Sequence, residues 1–370
     1  MASEWKFKQQ RKVALSITNL CLGELLMKKH FIAAAVAAAV AVPAMAQNVT
    51  ISGYIEANYG RIDTGAASTA GMNGSVNVFG GSDLKIAGSE DLGGGLKAGF
   101  SLLQEFDENR GLNDNSTGQT RTGSTSTFDQ PWKDVQLFVS GGFGEVKVGK
   151  FIATHRDIGG VYRFNGDFGR VDTNFNTIGN RPSNQVQLTT PTIGGVTFTV
   201  AHAKADSNGV VAAGSESGWS VRYAEGPLRV QYSSSASKST TNVKDKESGI
   251  GGSYTMGNIR VGAAYFKDDT EVAANETEGM SVQLDVDMGG GVNLFGSYNT
   301  YEHTTNQRDG SGYSIGISKA LSKRTKLFAV HNSMNNDAAA TWTYRNAPSV
   351  LAANAGDDPS RTAVGISHSF

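Results

Sequence analysis

Apolar and polar side chains alternate along much of the chain with a period of two residues. In residues 49–59 one face is apolar and carries Val49, Ile51, Ile55, Ala57 and Tyr59. The opposite face is mostly polar and carries Thr50, Ser52, Tyr54, Glu56 and Asn58. Residues 96–105 and 134–139 repeat the pattern. This period predicts β-strands and argues against an amphipathic helix.

Connections of two lengths separate these strands in regular alternation. The short connections are rich in residues that favour tight turns and lie at 91–95, 141–144, 191–195, 225–227, 256–258, 288–291 and 322–324. The long connections are polar and lie at 62–81, 108–132, 152–183, 206–217, 237–246, 269–278, 303–311 and 334–360. Seven short and eight long connections predict sixteen strands. The even number and the asymmetry are typical of an antiparallel transmembrane β-barrel with short periplasmic turns and long external loops.

The N-terminal segment has the features of a targeting signal. Met27–His30 is basic, Phe31–Val42 is an apolar stretch too short to span a bilayer, and Ala44–Ala46 forms a small-x-small cleavage site. We therefore predict a signal peptide over 27–46 and a barrel over 47–370, with a short buried Ala-rich helix as the alternative. Residues 1–26 match no part of a secretory signal, and we interpret them as an upstream extension from a misassigned start.

Composition favours the barrel over other classes of protein. The chain contains 46 Gly and 7 Pro, and beyond residue 46 it has no apolar stretch of the roughly 18 residues that a transmembrane helix requires. A soluble two-sheet sandwich would also show alternation. It does not account for a signal peptide or for the near-regular spacing of the strands.

The predicted mature region has no thiol and carries net negative charge. The single cysteine, Cys21, precedes the signal peptide, so we expect neither disulfides nor cysteine metal sites. Residues 47–370 contain 27 Lys and Arg against 32 Asp and Glu, a net charge of −5. This acidity argues against a nucleic-acid partner.

The last segment of the chain alternates and ends on an aromatic residue. Its apolar face carries Val364, Ile366, His368 and Phe370. A terminal Phe on such a strand looks like the signal that the outer-membrane assembly machinery recognises.

Three segments resemble a known family in their order and spacing. They are 88–98 (GSEDLGGGLKA), 143–150 (FGEVKVGK) and 180–187 (NRPSNQVQ), the last followed by Pro191. They resemble a strand–turn–strand hairpin, the fifth strand and the strand that leaves the third loop in the trimeric general porins, particularly the betaproteobacterial branch. The likeness covers residues 47–370. It implies an outer-membrane homotrimer, exported through the periplasm and without a cofactor, that lets small hydrophilic solutes and ions diffuse passively. It also implies contacts with outer-membrane lipid and lipopolysaccharide.

The resemblance further implies a third loop folded into the pore and opposed charges at the narrowing. Lys150 and Arg181 match wall positions of the family, and Lys85 lies on the same presumed inward face. Asp83 stands where these porins usually carry an arginine, so a strong anion preference does not carry over. The charged residues of the loop itself are Arg163, Asp167, Arg170 and Asp172. For each of these charges, an ordinary solvated loop residue is the alternative.

Motifs for catalysis or metal binding are not evident in the sequence. Residues 144–151 approach a phosphate loop, but Phe151 replaces the metal-binding hydroxyl and the segment alternates as a strand. The histidines are isolated and lack the spacing of metal ligands. We find neither a Gly-x-Ser-x-Gly elbow nor a Ser–His pair. The carboxylate pairs Asp268–Asp269 and Asp357–Asp358 are placed in surface loops.

Two other functions remain open. A substrate-specific channel would show an aromatic ladder along the pore, and Tyr54 is the one inward aromatic residue that we place in the early strands. An outer-membrane barrel enzyme is less favoured, because it would need a nucleophile and a base at one membrane level.

Overall fold

A computed structural model describes most of the chain after residue 47. The described residues are 48–65, 68–72, 82–107, 112–113, 132–164, 181–204, 213–239, 244–271, 276–304, 308–342 and 354–370. The predicted upstream extension and signal peptide lie outside them, as do Asp167, Arg170 and Asp172.

Strands make up nearly all of the regular structure. The first nine are β1 (Asn48–Asp63), β2 (Ser68–Met72), β3 (Ser82–Gly93), β4 (Leu96–Asp107), β5 (Leu112–Asn113), β6 (Asp134–Gly141), β7 (Gly144–Lys150), β8 (Gln185–Thr189) and β9 (Val196–Lys204). The others are β10 (Ala213–Glu225), β11 (Leu228–Ser239), β12 (Lys244–Met256), β13 (Ile259–Thr270), β14 (Thr277–Gly289), β15 (Val292–His303), β16 (Gly310–Ala320), β17 (Thr325–Asn336) and β18 (Ser360–Ser369). A 3₁₀ helix (Thr154–Ile158) and one α-helical turn (Gly159–Tyr162) follow β7. Within the described ranges, no helix is long and apolar enough to cross a membrane.

The strands form one antiparallel sheet that closes on itself. β18 pairs with β1 from Ser360–Asp63 to Ser369–Tyr54, and β1 continues into β3. Of the eighteen strands, β2 and β5 are short and pair only with the loop ends of β1 and β4. The remaining sixteen strands form the wall, which confirms the predicted barrel. Closure leaves no unpaired edge strand in the wall.

The strands extend further at the long-loop end than the sequence predicts. β10 begins at Ala213 and β12 at Lys244, both inside predicted loops. Asp268 and Asp269 lie in β13 rather than in a surface loop, and Asp268 is 1% exposed on the inner face. Near the aqueous end of a strand both faces carry polar residues. The alternation of apolar and polar residues therefore ends before the backbone pairing does, and the sequence predicts strands that are too short.

The two faces of the wall differ as the alternation predicts. The outer face carries exposed apolar residues such as Ile51, Leu137 and Ile315. The inner face carries polar residues such as Glu56 and Asn58, which are buried inside the barrel. Apolar side chains outside and polar side chains inside are the reverse of the distribution in a soluble protein, and they suit a wall surrounded by lipid.

The C-terminal residue covers the seam where the barrel closes. The backbones of Phe370 and Gly53 exchange two hydrogen bonds, of 3.0 and 3.1 Å. The Phe370 ring lies so close to Gly53 that an added Cβ would stand 2.3 Å from its Cζ atom. A residue without a side chain is therefore required at position 53.

Candidate functional site: the narrowed lumen

The loop after β7, here called loop three, enters the barrel and packs against its inner wall. Ile158, Val161 and Tyr162 are fully buried. They form an apolar cluster with wall residues of four strands, namely Ile62, Ala264, Phe266, Tyr301 and Met334. The Tyr162 and Phe266 rings meet edge to face, with centroids 5.8 Å apart. The predicted inward fold of the third loop is therefore confirmed, and apolar burial holds it in place.

Glycines on the inner face make room for loop three. An added Cβ at Gly218 of β10 would stand 2.9 Å from the Thr154 hydroxyl. At Gly262 of β13 it would stand 2.3 Å from the Tyr162 carbonyl oxygen and 2.7 Å from the Phe164 ring. At Gly251 of β12 the nearest loop atoms would be 3.3 Å away. We call these three positions the glycine groove; it lets the loop backbone lie directly against the wall.

Buried ionisable side chains attach the same loop to the wall. His155 Nε2 lies 2.8 Å from Glu247 Oε2, and His155 Nδ1 lies 3.9 Å from Glu216 Oε1. All three side chains are less than 9% exposed. The Ser233 hydroxyl donates a hydrogen bond to the His155 carbonyl oxygen. The sequence indicated that His155 is isolated, and the structure shows that it is not. The sequence could not show its partners because they lie on strands distant along the chain. Among the described residues, no group of His, Cys, Asp and Glu is arranged to hold a metal ion.

A second part of the wall, formed by β3–β8 and the segments next to them, carries side chains of both charges close to the predicted wall residues. We call this part of the wall the charged bank. Arg181 Nε lies 2.6 Å from Asp134 Oδ1. Lys150 lies within electrostatic range of both groups. Lys133 forms an ion pair with Glu105. Arg181 therefore meets Asp134, whereas the register of β7 sets Lys150 opposite Val135 of the outer face. That Lys150 and Arg181 form the narrowing stays a prediction.

Lys85 and Asp83 extend this bank onto β3. Lys85 pairs in register with Ser52, and Asp83 with Tyr54 and Glu105, all on the inner face. Asp83 experiences the charges of both Lys133 and Lys85. The residue that departs from the family pattern therefore belongs to the same mixed-charge bank.

Arg163 is the one predicted loop-three charge within the described residues. Its guanidinium folds back over Gly159, where an added Cβ would stand 2.0 Å from an Nη atom. The structure thus ties Arg163 to its own helical turn. The other three predicted charges, Asp167, Arg170 and Asp172, fall in 165–180, outside the described ranges.

The sequence reasoning missed three inward arginines beneath loop three. Arg222, Arg229 and Arg260 lie on the inner faces of β10, β11 and β13, near the short turns. The Arg260 guanidinium stacks 4.1 Å from the centroid of the Phe164 ring. Arg222 and Asp157 also line a polar recess of about 360 Å³ between the loop and the wall. The sequence did contain a signal for these arginines, because the alternation of each strand puts them on its inward face.

These features define a class of protein: a closed transmembrane barrel whose polar lumen is narrowed by an internal loop. A family model for Gram-negative porins matches residues 33–339, and the chain belongs to that family. The resemblance read from the sequence motifs is confirmed.

Comparisons with individual proteins agree with this assignment. Outer membrane porin protein 32 of Delftia acidovorans is 27% identical over 370 residues, spanning 93% of this chain and 100% of that protein. An outer membrane porin protein of Bordetella pertussis is 26% identical over 372 residues, spanning 82% and 93%.

Solved structures share the fold at lower identity. The anion-selective porin from Comamonas acidovorans matches with a TM-score of 0.70 at 22% identity, covering 88% of this chain and 100% of that one. The trimer form of OmpT, an outer membrane protein of Vibrio cholerae, matches with a TM-score of 0.63 at 15% identity, covering 88% and 100%.

Filling the glycine groove should widen the pore. Gly262→Val forces the loop backbone and the Phe164 ring away from the wall, because overpacking costs about 1–3 kcal/mol when neighbours cannot move. We expect a larger single-channel conductance in planar bilayers. Gly160→Ala is the matched control, because a Cβ there meets no atom within 4 Å. Equal conductance of Gly262→Val and wild type would contradict this role of the groove.

Proposed function

We propose that this porin is an outer-membrane channel for passive diffusion of small hydrophilic solutes and ions, with loop three setting its width. The observation that carries the proposal is the docking of loop three on β10–β13, which leaves the charged bank of β3–β8 facing it across the lumen. Side chains of both signs on that bank orient polar solutes and disfavour apolar ones. Neither sign dominates among the described members of the bank, so the proposal includes no strong ion preference.

A substrate-specific channel is the alternative, and its mark would be a row of exposed aromatic rings. Phe138 joins Tyr54 on the inner face of the early strands, which corrects the sequence reading. Further inward aromatics are Phe266, Phe295, Tyr301 and Phe328, and each is at most 7% exposed. These four rings pack against loop three or against each other, and the inward aromatic residues that the structure describes form no ladder, which supports the general channel.

A barrel enzyme is the less favoured alternative. One Ser–His contact does exist: His202 Nδ1 lies 2.8 Å from Ser217 Oγ across β9 and β10, on the outer face. Similar cross-strand contacts join His331 to Thr362 and His368 to Thr325. No carboxylate or amide hydrogen-bonds to His202 within the described residues, whereas a catalytic base needs a group that orients it. We therefore propose that the chain is a channel without catalytic activity.

We also propose a homotrimer, and the distribution of outer aromatics supports it. Outward Tyr and Trp residues are concentrated on one side of the barrel and include Trp219, Tyr223, Tyr232, Tyr254, Tyr265, Tyr298 and Tyr313. The wall strands β17, β18, β3, β4, β6, β7 and β8 contain neither residue type, and β1 between them has only Tyr59 facing outward. Aromatic residues mark the boundary between lipid and water. The Tyr-poor sector, defined as these eight strands, therefore suits contact with another subunit.

Charge substitutions on the bank test the proposed constriction. Replacing Lys150 and Arg181 by Glu should move the zero-current potential in a salt gradient towards cation preference, because charges in a confined passage are weakly screened. Asp134→Asn should shift it towards anions, since it removes the partner of Arg181. Asp167→Asn should also shift it towards anions, because we propose that Asp167 faces the bank from loop three.

The matched control is the loop pair Asp357 and Asp358, replaced by Asn. These residues bond to the backbones of Asn354 and Asn336 at the barrel rim, outside the proposed narrowing. A larger shift from this pair than from Lys150 and Arg181 would place the constriction elsewhere.

The trimer should survive detergent without heating. Unheated protein should migrate at about three times the monomer mass and collapse to monomer after boiling, because the fully paired barrels resist detergent. A fluorescent label on Leu137→Cys, in the Tyr-poor sector, should be shielded from brominated lipid. The same label on Leu284→Cys, on the aromatic side, should be quenched. A monomer at every temperature, or equal quenching of both labels, would refute the proposed interface.

We propose that Phe370 also serves as the signal for the assembly machinery. Phe370→Asp should leave the protein in the periplasm for proteolysis and remove it from outer-membrane fractions, while Phe370→Trp should retain most of it. Refolding both variants from urea into detergent separates assembly in cells from barrel stability. Normal outer-membrane levels of Phe370→Asp would contradict the signal.

A further inference from the structure

The space between loop three and the wall at the short-turn end of the barrel is called here the polar recess. Its volume of about 360 Å³ is within the range of sites for small molecules. Asp157 lines it from loop three, and Thr192 and Gly195 line it from the short turn between β8 and β9. Arg222 of β10 and Gln231 of β11 line it from the wall. The recess is therefore enclosed by residues from the loop, the turn and the wall.

Threonine hydroxyls around the recess are paired with one another. The hydroxyls of Thr192 and Thr197 are 3.0 Å apart, and those of Thr189 and Thr199 are 3.2 Å apart. The Gln187 amide donates a hydrogen bond of 3.3 Å to the Thr189 hydroxyl. These contacts give the recess a polar lining whose members satisfy each other.

Three other side chains of the recess lack such a partner within the described chain. Gln231 is 1% exposed, and neither the oxygen nor the nitrogen of its amide has a hydrogen-bond partner there. Arg222 and Asp157 form no ion pair with any described residue. A buried amide without hydrogen bonds costs free energy, and such a group in a native structure points to a bound molecule that supplies them.

The strand register places the cation next to the amide. Arg222 pairs with Gln231 across β10 and β11, at a strand spacing of about 4.8 Å. The carboxylate comes from the other side, because the Ser233 hydroxyl of β11 binds the His155 carbonyl oxygen and fixes the loop beside Asp157. The recess thus combines a guanidinium and an amide on the wall with a carboxylate on the loop.

We infer that the polar recess binds small zwitterionic solutes of the amino-acid class. The Arg222 guanidinium suits a carboxylate, since its N–H groups can bond both oxygens, and the Asp157 carboxylate suits an ammonium group. The Gln231 amide offers a donor and an acceptor to a further polar group of the solute. An anion alone would leave Asp157 without a partner, and a cation alone would leave Arg222 without one. The inference goes beyond the proposed diffusion channel and needs it only because solutes reach the recess through the lumen.

Binding of L-asparagine to the purified porin in detergent tests the inference by saturation-transfer NMR. This solute carries a carboxylate, an ammonium group and an amide. Succinamate lacks only the ammonium group, and β-alaninamide lacks only the carboxylate. We expect wild type to bind L-asparagine about tenfold more tightly than either analogue, because each analogue leaves one charge of the recess unpaired.

Variants of the recess should change the preference among these solutes. Arg222→Gln should weaken binding of L-asparagine about tenfold and leave β-alaninamide unaffected. Asp157→Asn should weaken L-asparagine similarly and leave succinamate unaffected. Gln231→Met keeps both charges and should also weaken L-asparagine. Arg229→Gln is the matched control and should bind as wild type does, because Arg229 is an inward arginine of the neighbouring strand that is not among the residues lining the recess.

The outcomes separate the recess from the channel itself. An absence of L-asparagine binding to wild type, equal binding of L-asparagine and succinamate, or equal losses in Arg222→Gln and Arg229→Gln would each overturn the inference. If Arg222→Gln forms no barrel, Gln231→Met and the comparison of solutes on wild type decide the question. Conductance in planar bilayers is measured on the same preparations. A wild type that binds L-asparagine but conducts no current would refute the proposed channel and leave the recess site standing.

Discussion

The constraint on which the structure depends is the pairing of every backbone polar group in an apolar environment. A wall strand surrounded by lipid has no water to hydrogen-bond its N–H and C=O groups, so the sheet has to close. Pairing of β18 with β1 provides that closure, and the hydrogen bonds between Phe370 and Gly53 complete the seam. Once the wall is closed, the apolar side chains have to face outward, and polar chemistry is confined to the lumen and the two rims.

A sixteen-stranded barrel is too wide for side chains alone to fill. Loop three occupies part of this space. Its apolar residues are buried inside the barrel and form an apolar core with residues of the wall. The glycine groove allows close approach, and His155 with Glu216 and Glu247 adds a polar attachment. These contacts lie on β10–β13, and the ion pair of Arg181 with Asp134 lies on another part of the wall. The function of the pore follows from this asymmetric filling.

The outer surface is divided as clearly as the lumen. Aromatic residues follow one arc of the wall, and the Tyr-poor sector occupies the other. Near the long-loop end of the aromatic arc, Lys267 forms ion pairs with Asp269 and Glu278 on β13 and β14. The two arcs therefore differ in their outward side chains, although both are built on the same strand pairing.

The sequence by itself determined the number of wall strands, the positions of the short turns and the outward face of the apolar residues in strands such as β1 and β4. These properties depend on local alternation and turn residues, which a linear pattern contains. The tertiary structure alone decided which residues meet across the lumen. The period-two pattern contained the inward position of Arg222, Arg229 and Arg260, although the sequence analysis did not single them out. It could not bring Arg260 to Phe164, or His155 to two glutamates far along the chain. Such contacts depend on where loop three docks, and that is set by glycines on strands separated in sequence and joined only when the barrel closes.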